Sequence, residues 1–399
     1  MLVLLPQARG IGLANVGILM AVHGTVATLL EVPSGAVADA VGRRRTLIVG
    51  AALMCGSLTT FALAHGMAVF AVAEALLAAG RAAISGSLEA WFVDAWRTLD
   101  AHAPLRRPLS GASAAGALGL AAGSLIGGAV PHIDLGLAAR GDDTLLLYSP
   151  AVLLGAALAL VYLVAVAALV RGPGSGPSGA SAQRGLQAIA EVARAGRASL
   201  HGSPALRLLL AAAVGLGACI ATVETLWQPR LAELLHGASD DTWIFGLLSA
   251  GAMLAFAGGA SLAPALSVRV GGGARTLYLL AVLAGTATLA GLALAADPLP
   301  FAFAFIAFYG TMGIVDPLHL ELVNERVPSA ARATMLSVSS LSEQVGAVTS
   351  SLTLPRLAAG AGIPAAWWVL TGVLAAVALV ARALPSERED RDARVVDAG

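Results

Sequence analysis

The chain has 399 residues, of which 58% are hydrophobic and only 12% charged, about half of the roughly 25% charge usual in a soluble globular protein. No single water-soluble core can hold that much apolar side chain, so an ordinary soluble domain is excluded. Net charge is zero and all 24 basic residues are arginine, a bias that says little about partners; no nucleic-acid partner is expected.

A bilayer crossing needs about 20 apolar residues, and the chain is long enough for about a dozen crossings with short loops. After a short apolar scrap, 1 to 5, ended by Pro6, apolar runs fall at 12 to 38, 46 to 65, 67 to 93, 109 to 130, 146 to 170, 205 to 228, 243 to 266, 276 to 296, 300 to 322, 333 to 354 and 364 to 383. The expected class is an all-α polytopic membrane protein with eleven full spans plus an N-terminal stub. Cys55 and Cys219 both lie inside apolar runs, so free thiols are expected rather than a disulfide or a metal site. No cofactor motif is present.

Cytoplasmic loops carry the excess of basic residues. With the loop at 39 to 45 placed inside, nineteen of the 24 arginines fall on that side. The C-terminal tail is then cytoplasmic, and a plasma-membrane location is expected. Residues 172 to 182, GPGSGPSGASA, form a linker without capacity to pack. The expected division is an N-terminal bundle over 1–170, a linker with an amphipathic helix over 171–204, a C-terminal bundle over 205–383 and a tail over 384–399. In the linker, Leu186, Ile189, Ala193 and Leu200 fall near one helical face, as in a helix lying on the inner leaflet.

The two halves repeat. GILM at 17 to 20 resembles GLLS at 246 to 249, an offset of 229, and RTL recurs at 45 and at 275, an offset of 230. Parallel repeats of six spans describe a large transporter architecture with substrate bound at the midplane. That register places the counterpart of the seventh helix before Met1, so most of a first helix is expected to be missing, through a misassigned start codon.

The stretch Gly35 to Arg45, GAVADAVGRRR, is a charged island between two apolar runs. Gly35 permits close approach of a helix, Gly42 a tight turn, and Arg43, Arg44 and Arg45 reach headgroups or acidic partners. Asp39 can face an arginine or a helix N-terminus. The pattern resembles the loop signature of the major facilitator superfamily, G-x-x-x-D-[RK]-x-G-[RK]-[RK], with Ala40 in place of a basic residue. The resemblance implies the major-facilitator fold with two six-helix pseudo-repeats, and a gating role for Gly35, Asp39, Gly42, Arg43, Arg44 and Arg45 as a latch. Asp94, near a cytoplasmic helix end, is expected to pair with a loop arginine. The repeat position of Asp39 falls at Val268 or Arg269, leaving the latch one-sided.

A second stretch, 110 to 128, resembles the antiporter signature of that family's fifth helix through Gly119, Gly123, Gly127 and Gly128, with Ser124 where the family has proline. Glycines four apart let helices pack backbone to backbone, and in the family this seals the periplasmic side. In the fourth helix Leu77 and Arg81 resemble the start of a further family pattern linked to proton transfer. Glu74 and Glu89 stand at i−7 and i+8 from Arg81, close to its face, so a structural ion pair and a coupling role are both open. Glu31 and Glu224 lead the intramembrane acids as proton-coupling candidates, with Arg81 and Glu89 beside them, because burial can bring a carboxyl into range for proton exchange. His23 and His319 are single histidines read as structural.

These readings favour a monomeric secondary transporter in the lipid bilayer that exports a small amphipathic molecule in exchange for protons. Proton-coupled uptake and a non-transporting membrane sensor remain as alternatives. An enzyme is not expected, since no nucleophile constellation, metal-ligand spacing or nucleotide loop occurs.

Overall fold

A computed structural model describes residues 2–99, 106–132, 148–170, 194, 203–237, 241–270, 273–327 and 332–384. Apart from a short 3-10 turn at Val130–His132, its regular elements are α-helices: α1 (Leu4–Ala8), α2 (Leu13–Val41), α3 (Arg43–Leu63), α4 (Met67–Leu99), α5 (Arg106–Ala129), α6 (Ser149–Leu169), α7 (Pro204–Leu234), α8 (Thr242–Val270), α9 (Gly273–Leu294), α10 (Pro298–Glu325), α11 (Arg332–Ala361) and α12 (Ile363–Ala383). The expected amphipathic linker helix and the tail lie outside the described residues, Arg194 excepted.

Ten of these helices are long and apolar enough to cross a membrane, against the eleven expected. The exception is α11, which has sufficient length at 30 residues but carries Ser337, Ser339, Ser340, Ser342, Glu343, Gln344, Ser350 and Ser351. Lipid rejects such a surface, so this helix spends its polar side chains on protein neighbours. Ser339, Ser350 and Ser351 are buried.

Compactness divides the chain into two units. Unit 1 comprises Met1–Ala190, Thr222–Ala250 and Val348–Ile363, and unit 2 comprises Glu191–Ala221, Gly251–Ala347 and Pro364–Gly399. This division differs from the one expected at the linker, because the ends of α7, α8 and α11 remote from the arginine-rich loops pack with the first half. In unit 1 the core gathers Val16, Leu19, Phe61, Phe70 and Val152. In unit 2 it is aromatic, with Phe301 stacked on Trp367 and on Phe305 at centroid distances of 5.8 and 6.0 Å.

The local geometry sharpens the repeat register. Gly42, at φ 102°, turns the chain from α2 into α3, and Gly273, at φ 71°, does so between α8 and α9. Pro33 lies inside α2 and Pro264 inside α8, where each removes one helical hydrogen bond. In each half one arginine grips the end of the sixth helix. Arg44 donates from Nε to Val170 O at 2.9 Å and from Nη2 to Ala167 O at 2.7 Å. Arg275 donates from Nη2 to Arg382 O at 2.6 Å and from Nε to Ala381 O at 3.4 Å. All three pairs are 231 residues apart, not 229 or 230. Asp39 therefore corresponds to Val270, rather than to Val268 or Arg269, and the acid is still absent from the second half.

A cation on the last carbonyls of a helix favours its macrodipole by about 1 kcal/mol. Arg44→Gln and Arg275→Gln are each expected to lower thermal stability in detergent by about that amount. Arg45→Gln serves as the neutral control, since Arg45 is exposed.

Candidate gates and coupling residues

The arginine-rich end of unit 1 is held by polar contacts. Arg43 pairs with Asp94 of α4, the partner expected from position, and its Nη1 also donates to Ala90 O at 2.8 Å. The pair is largely exposed, and exposed ion pairs contribute roughly 0.2–1 kcal/mol. Such a contact can break and reform within a cycle. Arg44 caps α6 as described, and Arg45 is exposed. Gly35 meets no atom within 4 Å at its missing Cβ, so the close helix approach expected there is not made in this conformation. The side chain of Asp39 lies outside the described residues.

The opposite end of unit 1 is closed backbone on backbone. A Cβ on Gly128 of α5 would stand 2.9 Å from the Gly246 Cα of α8, and one on Gly246 would collide with the Ser124 carbonyl. Thr242 Oγ1 donates to Gly128 O at 2.9 Å, and the Ser124 and Ser249 hydroxyls share a hydrogen bond at 3.1 Å. A second contact joins α2 to α11, where a Cβ on Gly17 would lie 2.7 Å from Pro355 Cγ and one on Gly24 would lie 3.0 Å from Val348 Cγ2. The loop after α1 is clamped at the same end. Arg9 donates to Ala64 O, to Ala62 O at 2.6 Å and to Ser149 Oγ at 3.3 Å, with its guanidinium over the Phe70 ring. Partial burial moves the Arg9 pKa below its ordinary value by desolvation, but three acceptors keep the cation in place.

Of the four glycines read from the antiporter signature, Gly128 alone meets a neighbouring backbone. Gly119, Gly123 and Gly127 have nothing within 4 Å of a built Cβ. Gly123 and Gly127 instead line a cavity of about 240 Å³ beside the seal, together with Ser124, Trp227, Gln228 and Ser249. The expectation that the whole series packs helix on helix is corrected accordingly: the stripe serves one close contact and one open space.

The coupling candidates are dispersed. Glu31 on α2, Arg81 and Glu89 on α4, and Glu224 on α7 are all exposed. Glu89 shares a surface depression with Arg43 and Asp94, beside the latch. Arg81 makes no ion pair among the described residues, so of the two readings left open the ion pair with Glu74 or Glu89 is not formed. Glu74 instead turns to His23 of α2, with Nδ1 to Oε2 at 2.9 Å. Sequence reasoning missed this pair because the partners sit 51 positions apart on different helices, and no periodicity links them. In unit 2, His319 is held by Tyr278 Oη at 3.2 Å and Ser339 Oγ at 3.4 Å, in keeping with its structural reading. Among the described residues no cluster could hold a metal ion.

The comparisons with known proteins agree with this architecture. A point mutant of the nucleoside transporter NupG superposes with a TM-score of 0.78 at 13% identity, covering 95% of this chain and 92% of NupG. A point mutant of the peptide transporter POT gives 0.67 at 16% identity, covering 92% and 84%. At such identities the likeness is one of fold. No curated protein matches in sequence. The Major Facilitator Superfamily profile matches residues 1–314, well over half of the chain, and the chain therefore belongs to that superfamily of multi-pass membrane transporters.

Proposed function

We propose that this transporter exports small amphipathic molecules across the plasma membrane in exchange for protons, as a monomer working by alternating access. The observation that carries the reading is the Gly128–Gly246 seal at the end remote from the arginine-rich loops. With those loops and the C-terminus placed in the cytoplasm by their charge, the seal is extracytoplasmic. Toward the other end of unit 1, Ser85 and Glu89 of α4 and residues 111 to 116 of α5 are exposed. A conformation closed outward is the one in which an exporter loads cargo from the cytoplasm. The glycine series of α5 supports export further, through the antiporter signature it resembles.

The latch of Gly35, Asp39, Gly42, Arg43, Arg44 and Arg45 then belongs to the cytoplasmic gate, whose weak Arg43–Asp94 contact suits a reversible closure. Glu31, Arg81, Glu224 and Glu89 are the charged groups on α2, α4 and α7 put forward for coupling, and all four are exposed.

The test is flux of rhodamine 6G, an amphipathic cation, into proteoliposomes under an imposed pH gradient. Antiport predicts dye accumulation when the lumen is acidic and none when the outside is acidic. Accumulation only with an acidic exterior would establish symport instead, and flux indifferent to the gradient would remove proton coupling.

A further inference from the structure

Glu74 is 1% exposed and follows Phe70 and Ala73 along α4, which belong to an apolar cluster with Val16 and Leu19. One of its carboxyl oxygens, Oε2, is bonded to His23 Nδ1 at 2.9 Å, and the other, Oε1, is buried without a hydrogen-bond partner among the described residues. An ion pair built only for stability satisfies both oxygens, because a buried carboxylate oxygen without a donor bears its full desolvation cost. A protonated carboxyl, or one that takes up and gives away a proton, has a reason for the vacant oxygen.

The charges around the pair are few. From α3, Ser57 donates to Ala73 O at 2.7 Å, on the residue before Glu74. That helix carries no charged residue between Thr46 and Leu63, and Cys55 is its only titratable group there. From the loop after α1 comes Arg9, held over Phe70 one turn before Glu74. Arg81 lies two turns further along α4 and is exposed. On the α11 segment of unit 1 the charged residue is Arg356, whose side chain turns back to Leu352 O. Tyr148, just before α6, packs against the same apolar cluster, and among the described residues the carboxyl has one titratable hydrogen-bond partner, His23, whose side chain is 21% exposed.

The pair is also placed to act on the seal. Gly24, the residue after His23, is where α2 touches Val348 of α11, and Gly17, two turns earlier, meets Ser351 and Pro355. A change of charge on the α2–α4 pair acts on the helix that makes this contact.

We propose that His23 and Glu74 form a proton-binding site of the first half, and that its occupancy sets whether the α2–α11 contact is closed. In the closed conformation the pair holds one proton between Nδ1 and Oε2 and is neutral overall. Loss of that proton to water leaves neutral His23 beside an anionic Glu74, and uptake of a second leaves a cationic His23 beside a neutral carboxyl. Each step moves one proton and one unit of charge, with no other reactant. The proposal rests on the proton-coupled reading above and adds a buried site distinct from the exposed groups named there.

The test uses infrared pH-difference spectra of the full chain in liposomes, which need no substrate. The site predicts a carboxylic-acid band that appears and disappears with pH, is absent in Glu74→Gln, and shifts in frequency in His23→Gln because the hydrogen-bond partner has changed. Identical difference spectra in the wild type and Glu74→Gln would overturn it. Should Glu74→Gln fail to fold, His23→Gln decides, and an unshifted band overturns the proposal. Rhodamine 6G flux on the same liposomes separates the two claims. A Glu74 band with gradient-independent flux would refute antiport and leave the proton site standing.

Discussion

Gly246→Val should cut gradient-driven flux about tenfold or more while leaving the protein folded. The Gly246 Cα lies against α5, and even a single Cβ there would run into the Ser124 carbonyl and stand 3.1 Å from the Gly128 Cα. Backbone cannot rotate aside as a side chain can, so the two helices must separate. Overpacking of this kind costs about 1–3 kcal/mol. Each 1.4 kcal/mol is roughly a tenfold change in population, so the sealed conformation loses about that factor or more relative to the open one. The penalty falls on one state of the cycle, which is why flux drops while the fold survives. Gly119→Ala is the matched control, since its Cβ meets open space. Flux in Gly246→Val equal to wild type would show that the contact is incidental.

Gly346→Val should instead cost stability, by about 3 kcal/mol or more. Within unit 2, α7 and α11 cross at two reciprocal points. A Cβ on Gly346 would overlap the Val214 carbonyl, and one on Gly217 would overlap the Glu343 carbonyl. Two glycines, one from each helix, thus let the backbones touch, and neither helix can yield without breaking the other contact. Thermal unfolding in detergent is the measurement. Gly346→Val and Gly217→Val are expected to unfold at markedly lower temperature than wild type, whereas Gly360→Ala, which has nothing within 4 Å of its Cβ, should match it.

What the sequence revealed followed from what lipid imposes. Apolar runs located α2 to α12 within a few residues, because hydrocarbon demands both length and composition from any helix it surrounds. The one exception, α11, is too polar for lipid through its serines, of which Ser339, Ser350 and Ser351 are buried. The repeat was visible in RTL at 45 and 275, yet that match aligned Arg45 with Arg275. The bonding geometry pairs Arg275 with Arg44, because three consecutive arginines look alike until one of them is seen on the end of α6. Gly128 was marked by its motif, but its partner Gly246 stands in no motif, and a one-sided signal cannot report a two-sided contact. His23 read as a lone histidine, and Glu74 was set only beside Arg81, with an ion pair and a coupling role both open, since spacing along one helix was the only geometry available. The turn of Glu74 toward α2 depends on how α2 packs on α4, which is tertiary.

The exposed acids illustrate a second limit. Glu31, Glu89 and Glu224 were read as intramembrane carboxyls that burial could tune, but all are exposed in this conformation. A residue uncovered in one state of a transporter can be covered in the other, and a sequence carries no record of which.

If the Gly128–Gly246 end is a gate that must open in every cycle, locking it shut should stop transport. Ser124 and Ser249, with hydroxyl oxygens 3.1 Å apart, flank the close contact, and side chains this near are within reach of a disulfide. With Cys55 and Cys219 replaced by alanine, Ser124→Cys and Ser249→Cys together should cross-link under mild oxidation. Rhodamine 6G flux is expected to fall to the level of protein-free liposomes when the bond forms and to recover on reduction. Undiminished flux through quantitatively cross-linked protein would contradict the gate.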